Sequence, residues 1–588
     1  MQGSVLSRRW SIAKEHPLAG ELAAKLKVST LIAQALLNRG MSDTDTCREF
    51  LQPNLKLLHE AAGIAGIRAA ANRIARAIRD YELIVIYGDY DVDGITATTI
   101  LWHAIKLLGG DVGYYIPHRV EEGYGLSASA ITQVIEGTAG QPPAKLIVTV
   151  DCGVTAVEPA KIARERGVDL IITDHHQWHQ GELPDCCAIV HPRLTEDGLP
   201  PYPNPNLCGA GVAFKLAWQT GLEMTGSARV SPEFRTFLIE ATALAALGTI
   251  ADVVPLVAEN RTLAHFGLSG LRASKLNGIR ALIESAALTG QALDSYHVGF
   301  CLAPRLNACG RMGHAALAVK MMTEASPDEA KEIADFLETQ NRARQAMERS
   351  ILEQALAQLE ARGFSADRDR AVVLGSDDWH PGVIGIVAAR LVDRLCRPTI
   401  MVAMNNGCGQ GSGRSVAGFH LADALSACST HLLSHGGHEM AAGLKVQREN
   451  FEPFREAFCE YARVKVQPEM MMPELKMEAV APLGQMTEAL LADLDRLGPF
   501  GQGNRKPLFC FRDVQVAATP KVVGKNGDHL QLLIKQGNTR MKCIAFKQGA
   551  LADRLKPGME IELAAEPTLN EFNGWRSVEL DVKDLHWK

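Results

Sequence analysis

LIVIYGDYDVDG, residues 83–94, is the stretch whose reading decides the fold. An unbroken apolar run that stops at Gly88 and gives way to Asp89, Asp91 and Asp93 reads as a short strand buried on both faces. The same pattern recurs as LIVTVDCG at 146–153 and LIITDHH at 170–176. Between these runs lie segments with helical patterning, such as 96–108 and 154–166. Apolar strands alternating with helices predict a parallel sheet covered on both sides. Ligands of such sheets bind beyond the carboxyl ends of the strands. All three polar clusters stand at those ends and are expected to meet.

Three carboxylates at alternating positions repel one another, and holding them ionised together calls for a cation. Oxygen ligands suit Mg²⁺ or Mn²⁺. The competing reading of Asp89, Asp91 and Asp93 is a solvated Asp-rich turn that ends the strand. Asp151 has a similar alternative as a helix cap, and His175 and His176 as plain surface polar residues. Asp252 is different, because it sits inside the apolar run ALAALGTIADVVPLV at 243–257. A carboxylate there costs several kcal/mol unless it is paired or bound to metal. Four separate segments thus point to one Asp/His site.

Farther along, Ser326-Pro327-Asp328-Glu329 reads as a helix start with a capping box, and Gly363 as its end. The intervening helix would be about 54 Å long. Its middle, 338–346, lacks large apolar residues, as expected of a bridge between domains. A second α/β pattern follows: strand 371–374, helix 382–395 and strand 399–403, then glycine-rich turns near GCGQGSGRS and HGGHEMAAG. From about Pro507 onward five short strands predict a small barrel.

The 588 residues allow roughly three to five domains. A net charge of −6 excludes a bulk polycation, so contact with nucleic acid must come from local patches. Thirteen scattered cysteines without a CxxC pair predict reduced thiols in a cytoplasmic protein. Residues 1–16 lack the apolar run of a signal peptide, and no stretch is apolar enough for a confident membrane span.

The motifs YGDYDVDG (87–94), TVDCG (149–153), DHH (174–176) and GTIADVVPL (248–256) resemble the four motifs of the DHH phosphoesterase superfamily. IPHRVEEGYGL (116–126), FCLAPRLNACGRMGHA (300–315), WHPGVIGIVAARL (379–391) and GGHEMAAG (436–443) narrow the likeness. They are similar to its single-stranded-DNA-specific 5′→3′ exonuclease branch. Tyr87 stands where some small DHH phosphatases carry a histidine, a departure pointing the same way.

The resemblance implies an α/β protein with a parallel-sheet DHH catalytic domain and a DHHA1 domain joined by a long helix, plus a C-terminal all-β OB-fold barrel. The boundaries would be a helical extension at 1–50, the catalytic domain at 51–325, the helix at 326–363, DHHA1 at 364–465 and the OB fold at 466–588. It implies two Mn²⁺ or Mg²⁺ ions held by Asp91, Asp93, Asp151, His175 and Asp252, with Asp89 and His176 as catalytic neighbours. Arg119, Arg305, Asn307, Arg311, His380, Ser412, Arg414 and His438 would contact DNA, with Arg119, Ser412 and Arg414 candidates for the 5′-phosphate. The expected activity is release of 5′-mononucleotides in repair and recombination. A helicase and a single-strand-binding protein are expected partners, a monomer the expected state, and no membrane is involved.

Three rivals remain. Small DHH phosphatases and short-oligonucleotide hydrolases are much shorter chains. Degenerate replication scaffolds lose the carboxylates kept here. A Mn-dependent pyrophosphatase has no use for a barrel.

Overall fold

The computed structural model describes residues 8–118, 125–137, 143–178, 181–311, 314–405, 407–525, 527–572 and 574–587. The chain divides into two compact units. Ser11–Leu337 with Lys476–Lys588 form one, and Glu338–Leu475 make up most of the other.

The parallel sheet of the first unit comprises β1 (Ile84–Gly88), β2 (Val112–Tyr115), β3 (Leu146–Val150), β4 (Asp169–Thr173) and β5 (Ala188–Val190). All neighbours are parallel, in the order β2-β1-β3-β4-β5. Strand side chains alternate between faces. Ile84 and Ile86 enter one apolar core, and Val85 and Tyr87 the opposite one. The first core is shared with α1 (Val92–Leu107), α2 (Gly209–Thr225) and α3 (Pro232–Ala251); the second with helices Ala128–Glu136 and Val157–Glu165. The strand order reverses between β1 and β3, the place where such sheets leave a crevice at their carboxyl ends. Helix α3 is long and apolar enough to cross a membrane by composition, but 61% of its most apolar window is buried inside the unit. Helix α4 (Ala303–Arg311) packs against the loop after β1, where Gly310 closes on the Tyr90 carbonyl.

Helix α5 runs unbroken over Pro327–Ala361. Ser326 N–H donates to Glu329 Oε2 at 2.9 Å and Glu329 N–H donates back to Ser326 Oγ at 3.3 Å.

In the second unit, β6 (Val372–Ser376), α6 (Pro381–Leu395) and β7 (Thr399–Asn405) follow the expected α/β pattern, with β6 and β7 parallel. Beyond them the sheet turns antiparallel. β8 (Cys408–Arg414), β9 (Ser434–Gly437) and β10 (Ala441–Gln447) complete the order β9-β10-β8-β7-β6. The two glycine-rich stretches are therefore mostly strands, not the turns expected of them. The reason is packing: a side chain at 411 would meet Leu444 at 2.7 Å, and one at 413 would meet Leu421 at 2.9 Å.

The C-terminal sheet holds β11 (Ala479–Val480), β12 (Phe509–Val516), β13 (Lys521–Val523), β14 (His529–Gln536), β15 (Thr539–Ala545), β16 (Glu560–Phe572) and β17 (Trp575–Trp587). The five long strands close into a ring through the β12–β14 pairing. β11 and β13 are too short to stand out in the sequence. Helices Ala19–Leu26, Thr30–Asn38 and Thr44–Leu51 share the barrel's apolar core, so the N-terminal segment packs onto the barrel.

Candidate active site

Strand register aligns the acidic motifs. Gly88 pairs with Val150, and Val150 with Thr173, so the next residues on the three strands, Asp89, Asp151 and Asp174, begin one row. Asp91 caps α1, its Oδ1 accepting from the N–H groups of Asp93 at 3.0 Å and Gly94 at 3.2 Å. Asp93 is held from the other side. Its two oxygens accept from Gly209 N–H at 2.6 Å and Ala210 N–H at 2.8 Å, the first turn of α2. Helix N-termini stabilise carboxylates, which accounts for both arrangements.

Asp151 adopts a left-handed backbone with φ 62°, a conformation that costs a non-glycine residue energy and recurs at functional sites. Room for it comes from Gly209, where a Cβ would stand 2.6 Å from the Asp151 Cβ. Gly248 does the same for Asp93, at 2.4 Å from Oδ1. Asp252 occupies the C-terminal cap of α3, and Val253 beside it is again left-handed at φ 60°. The C-terminal end of a helix carries partial negative charge, so a carboxylate is disfavoured there unless a cation compensates.

Two imidazoles complete the cluster. His175 Nε2 lies 3.0 Å from Asp151 Oδ1, 3.6 Å from Asp252 Oδ2 and 3.7 Å from Asp93 Oδ2. His176 Nδ1 shares a 2.8 Å hydrogen bond with Asp174 Oδ1. Asp174 also accepts from the backbone N–H of His175, His176 and Val154, so it braces the Asp151 loop and the histidine pair together. Nothing but its adjacency to the histidines marks this bracing role in the sequence.

The electrostatics explain what the cluster is built to hold. Burial, reinforced by Asp93, Asp91, Asp89 and Asp252, pushes the Asp151 carboxyl well above its usual range. Burial and the Asp93 and Asp91 charges push Asp252 up to about 8. Burial drives His175 down to about 4, keeping it neutral with a lone pair to offer. For His176, burial opposes the charge, but the Asp174 hydrogen bond and nearby carboxylates outweigh it and lift it to about 9. Among the described residues, Asp151 Oδ1 and His175 Nε2 are buried and have no hydrogen-bond partner, although they face each other. Buried polar atoms without partners call for a ligand.

Three triplets, each with ligand atoms within 4.8 Å of one another, come together: Asp151/His175/His176, Asp93/His175/Asp252 and Asp89/Asp91/Asp151. This donor set fits hard divalent cations. Asp89 and His176 fall inside these triplets, so their placement suits cation ligation as well as the catalytic roles expected of them. Burial and the neighbouring carboxylates hold Cys152 and Cys208 as thiols, which removes soft donors from the set.

The expected DNA-contacting residues are divided. Asn307 is at the cluster, its Oδ1 accepting from Val92 N–H at 3.2 Å. Arg305 and Arg311 are on the same helix α4, and Arg305 Nη1 donates to the Cys301 carbonyl. Arg119 lies outside the described residues. In the second unit, His380 caps α6 by accepting from Gly382 N–H at 3.1 Å. Arg414 Nη1 donates to Ser412 Oγ at 3.2 Å, both across from Gly385 of α6. His438 is exposed in the turn between β9 and β10.

Comparisons with known proteins bear on the whole chain. Residues 83–246 match the DHH family N-terminal domain, 368–463 the DHHA1 domain and 477–584 the RecJ OB domain. The single-stranded-DNA-specific exonuclease RecJ of Bacillus subtilis is 36% identical over 580 residues, 98% of this chain and 70% of that protein. Its counterpart from Thermus thermophilus is 35% identical over 98% of this chain and 78% of its own. The Escherichia coli protein is 34% identical, covering 89% and 90%. The crystal structure of RecJ from Thermus thermophilus in complex with Mn²⁺ aligns with a TM-score of 0.83 at 32% identity, covering 99% of this chain and 80% of that one. The Mg²⁺ complex aligns with a TM-score of 0.76 at 31% identity, covering 99% and 78%.

Proposed function

Because the chain belongs to the RecJ family of single-stranded-DNA-specific exonucleases, we propose that its acidic cluster hydrolyses phosphodiester bonds at the 5′ end of single-stranded DNA and releases 5′-mononucleotides. The observation that carries this reading is the meeting of Asp89, Asp91, Asp93, Asp151, His175, His176 and Asp252 at the strand ends.

Asp91, Asp93, Asp151, His175 and Asp252 would hold Mn²⁺ or Mg²⁺, with Asp89 beside them. Such ions, when bound, neutralise phosphate charge and make water a better nucleophile near neutral pH. The chain's own residues do the rest. Asp91 and Asp93 are fixed by backbone N–H groups, so the cluster is set before substrate arrives. Asp174 holds His176 by Nδ1 and favours its protonated form. His176 then has a proton to give to the departing 3′-oxygen.

Arg305, Asn307 and Arg311 are assigned to the sugar–phosphate track, where such donors position the strand without reading sequence. His380, Ser412, Arg414 and His438 are assigned to contacts made by the second unit, with Arg119, Ser412 and Arg414 the candidates for a terminal 5′-phosphate. The barrel suits backbone tracking and base stacking. The protein is read as a cytoplasmic monomer of DNA repair and recombination that works with a helicase and a single-strand-binding protein. The test is Asp252→Ala: turnover is expected to vanish while single-strand binding persists. A nearly active variant would remove Asp252 from the cation site.

A further inference from the structure

His191 follows directly on β5 and is completely buried. Buried polar side chains mostly satisfy themselves with whatever partner is near. Here the partners are informative. Nδ1 accepts from the backbone N–H of Arg193 at 3.1 Å, which fixes the tautomer: the lone pair is on Nδ1 and the proton on Nε2. Nε2 lies 2.9 Å from the backbone carbonyl of His176 and donates to it. The ring is held in place from other sides as well. The His191 backbone bridges to Ala65, and Trp178 meets the imidazole edge-on, with centroids 4.9 Å apart and planes at 79°.

β4 and β5 pair as far as Thr173 and Val190. One step on, Asp174 N–H still donates to the Val190 carbonyl at 3.2 Å. Two residues farther, the connection is made by the His191 side chain, so residues 190 and 191 grip Asp174 and His176 in turn. This matters because of how His176 is held. Asp174 Oδ1 engages its Nδ1 at 2.8 Å, but the side chain is 40% exposed, so packing closes round only part of the ring. The direction of Nε2 therefore depends on two anchors: the ring on Asp174 and the backbone on His191.

We infer that His191 is a positioning residue for the cleavage step: by gripping the His176 carbonyl it fixes the line along which His176 Nε2 meets the departing 3′-oxygen. This inference rests on the proton-donor role of His176 proposed above. In that step the water oxygen bonds to phosphorus as the P–O3′ bond breaks. The 3′-oxygen leaves with the bonding pair and takes the Nε2 proton, and the water gives up a proton in exchange. Such a step tolerates little misplacement, since a displacement of about 1 Å can cost about 100-fold.

The test follows release of the 5′-terminal nucleotide from a 5′-phosphorylated thymidine 20-mer, in a single turnover with Mn²⁺ and enzyme in excess. One substrate has the ordinary first linkage; the other carries a bridging 3′-sulfur there, whose thiolate leaves without a proton. His191→Leu is expected to slow the ordinary linkage about 10- to 100-fold, with the Kd for the strand unchanged. On the sulfur-bridged linkage the loss should largely vanish. His191→Gln, whose amide reaches about as far as Nε2 and donates in the same place, should recover most of the rate. His176→Ala should show the same dependence on leaving group, more strongly. An unchanged rate in His191→Leu, an equal loss on both linkages, or a glutamine variant no better than leucine would overturn the positioning role while leaving the exonuclease intact. Should the leucine variant fail to fold, the glutamine variant decides alone: a rate as low as that of His176→Ala on the ordinary linkage would overturn the role. A His176→Ala variant that loses nothing, or loses equally on both linkages, would instead overturn the reading beneath it.

Discussion

The backbone N–H of Gly209 donates to Asp93 Oδ2 at 2.6 Å, so the first turn of α2 fixes a carboxylate that α1 carries. The site is thus held by the ends of two helices that pack together on one face of the sheet. Gly209→Ala would push a methyl group to within 2.6–2.8 Å of the Asp151 side chain. We predict a loss of turnover of at least about 100-fold, out of proportion to a stability cost of about 1–3 kcal/mol for the overpacking. Steady-state kinetics alongside urea unfolding checks this.

Asp174 acts through others, by bracing His176 and the Asp151 loop. Asp174→Asn keeps the shape but weakens the bracing. Groups that orient metal ligands typically change affinity or activity about 10- to 100-fold when altered. A loss in that range is expected in kcat or in the concentration of Mn²⁺ for half-maximal activity.

Crowded carboxylates make the cation-free protein pH-sensitive. The Asp252 carboxyl, ordinarily near 3.8, is raised to about 8 in the fold. Between those values the unfolded chain has released a proton that the folded protein retains. The group's contribution to stability is therefore present at low pH and lost as pH rises from about 4 to 8. Thermal unfolding in EDTA should show this fall. Saturating Mn²⁺ should raise Tm at pH 8, as about 2.7 kcal/mol at a hundred times Kd requires, and Asp151→Asn should remove most of that gain.

Lys215 and Glu259 form a fully buried ion pair at 2.8 Å, with Tyr202 OH donating to the same carboxylate at 2.7 Å. Breaking a buried pair strands a charge, at a cost of about 3–5 kcal/mol. Lys215→Met should destabilise the first unit by that amount in denaturant unfolding.

Much of this site was legible because strand periodicity places Asp89, Asp151 and Asp174 at three aligned ends. Asp252 betrayed itself as a charge in an apolar run. Less could be read where the partner is backbone. Nothing in Cys208–Gly211 announces that its N–H groups grip Asp93, because backbone donors leave no residue type behind. The glycines of β8 misled for a related reason: glycine density signals turns, but here it makes room for Leu444 and Leu421. The packing of the first helices onto the barrel is a contact between segments more than 400 residues apart, such as Arg39 with Glu478, and local patterning cannot carry it.

The most direct test of the central claim is digestion of one DNA sequence as a single strand and as a blunt duplex, labelled at either end, with Mn²⁺, Mg²⁺ or EDTA. The expected result is cation-dependent release of labelled mononucleotide from the 5′ end of the single strand alone. Release from the 3′ end, equal attack on the duplex, or turnover in EDTA would contradict it.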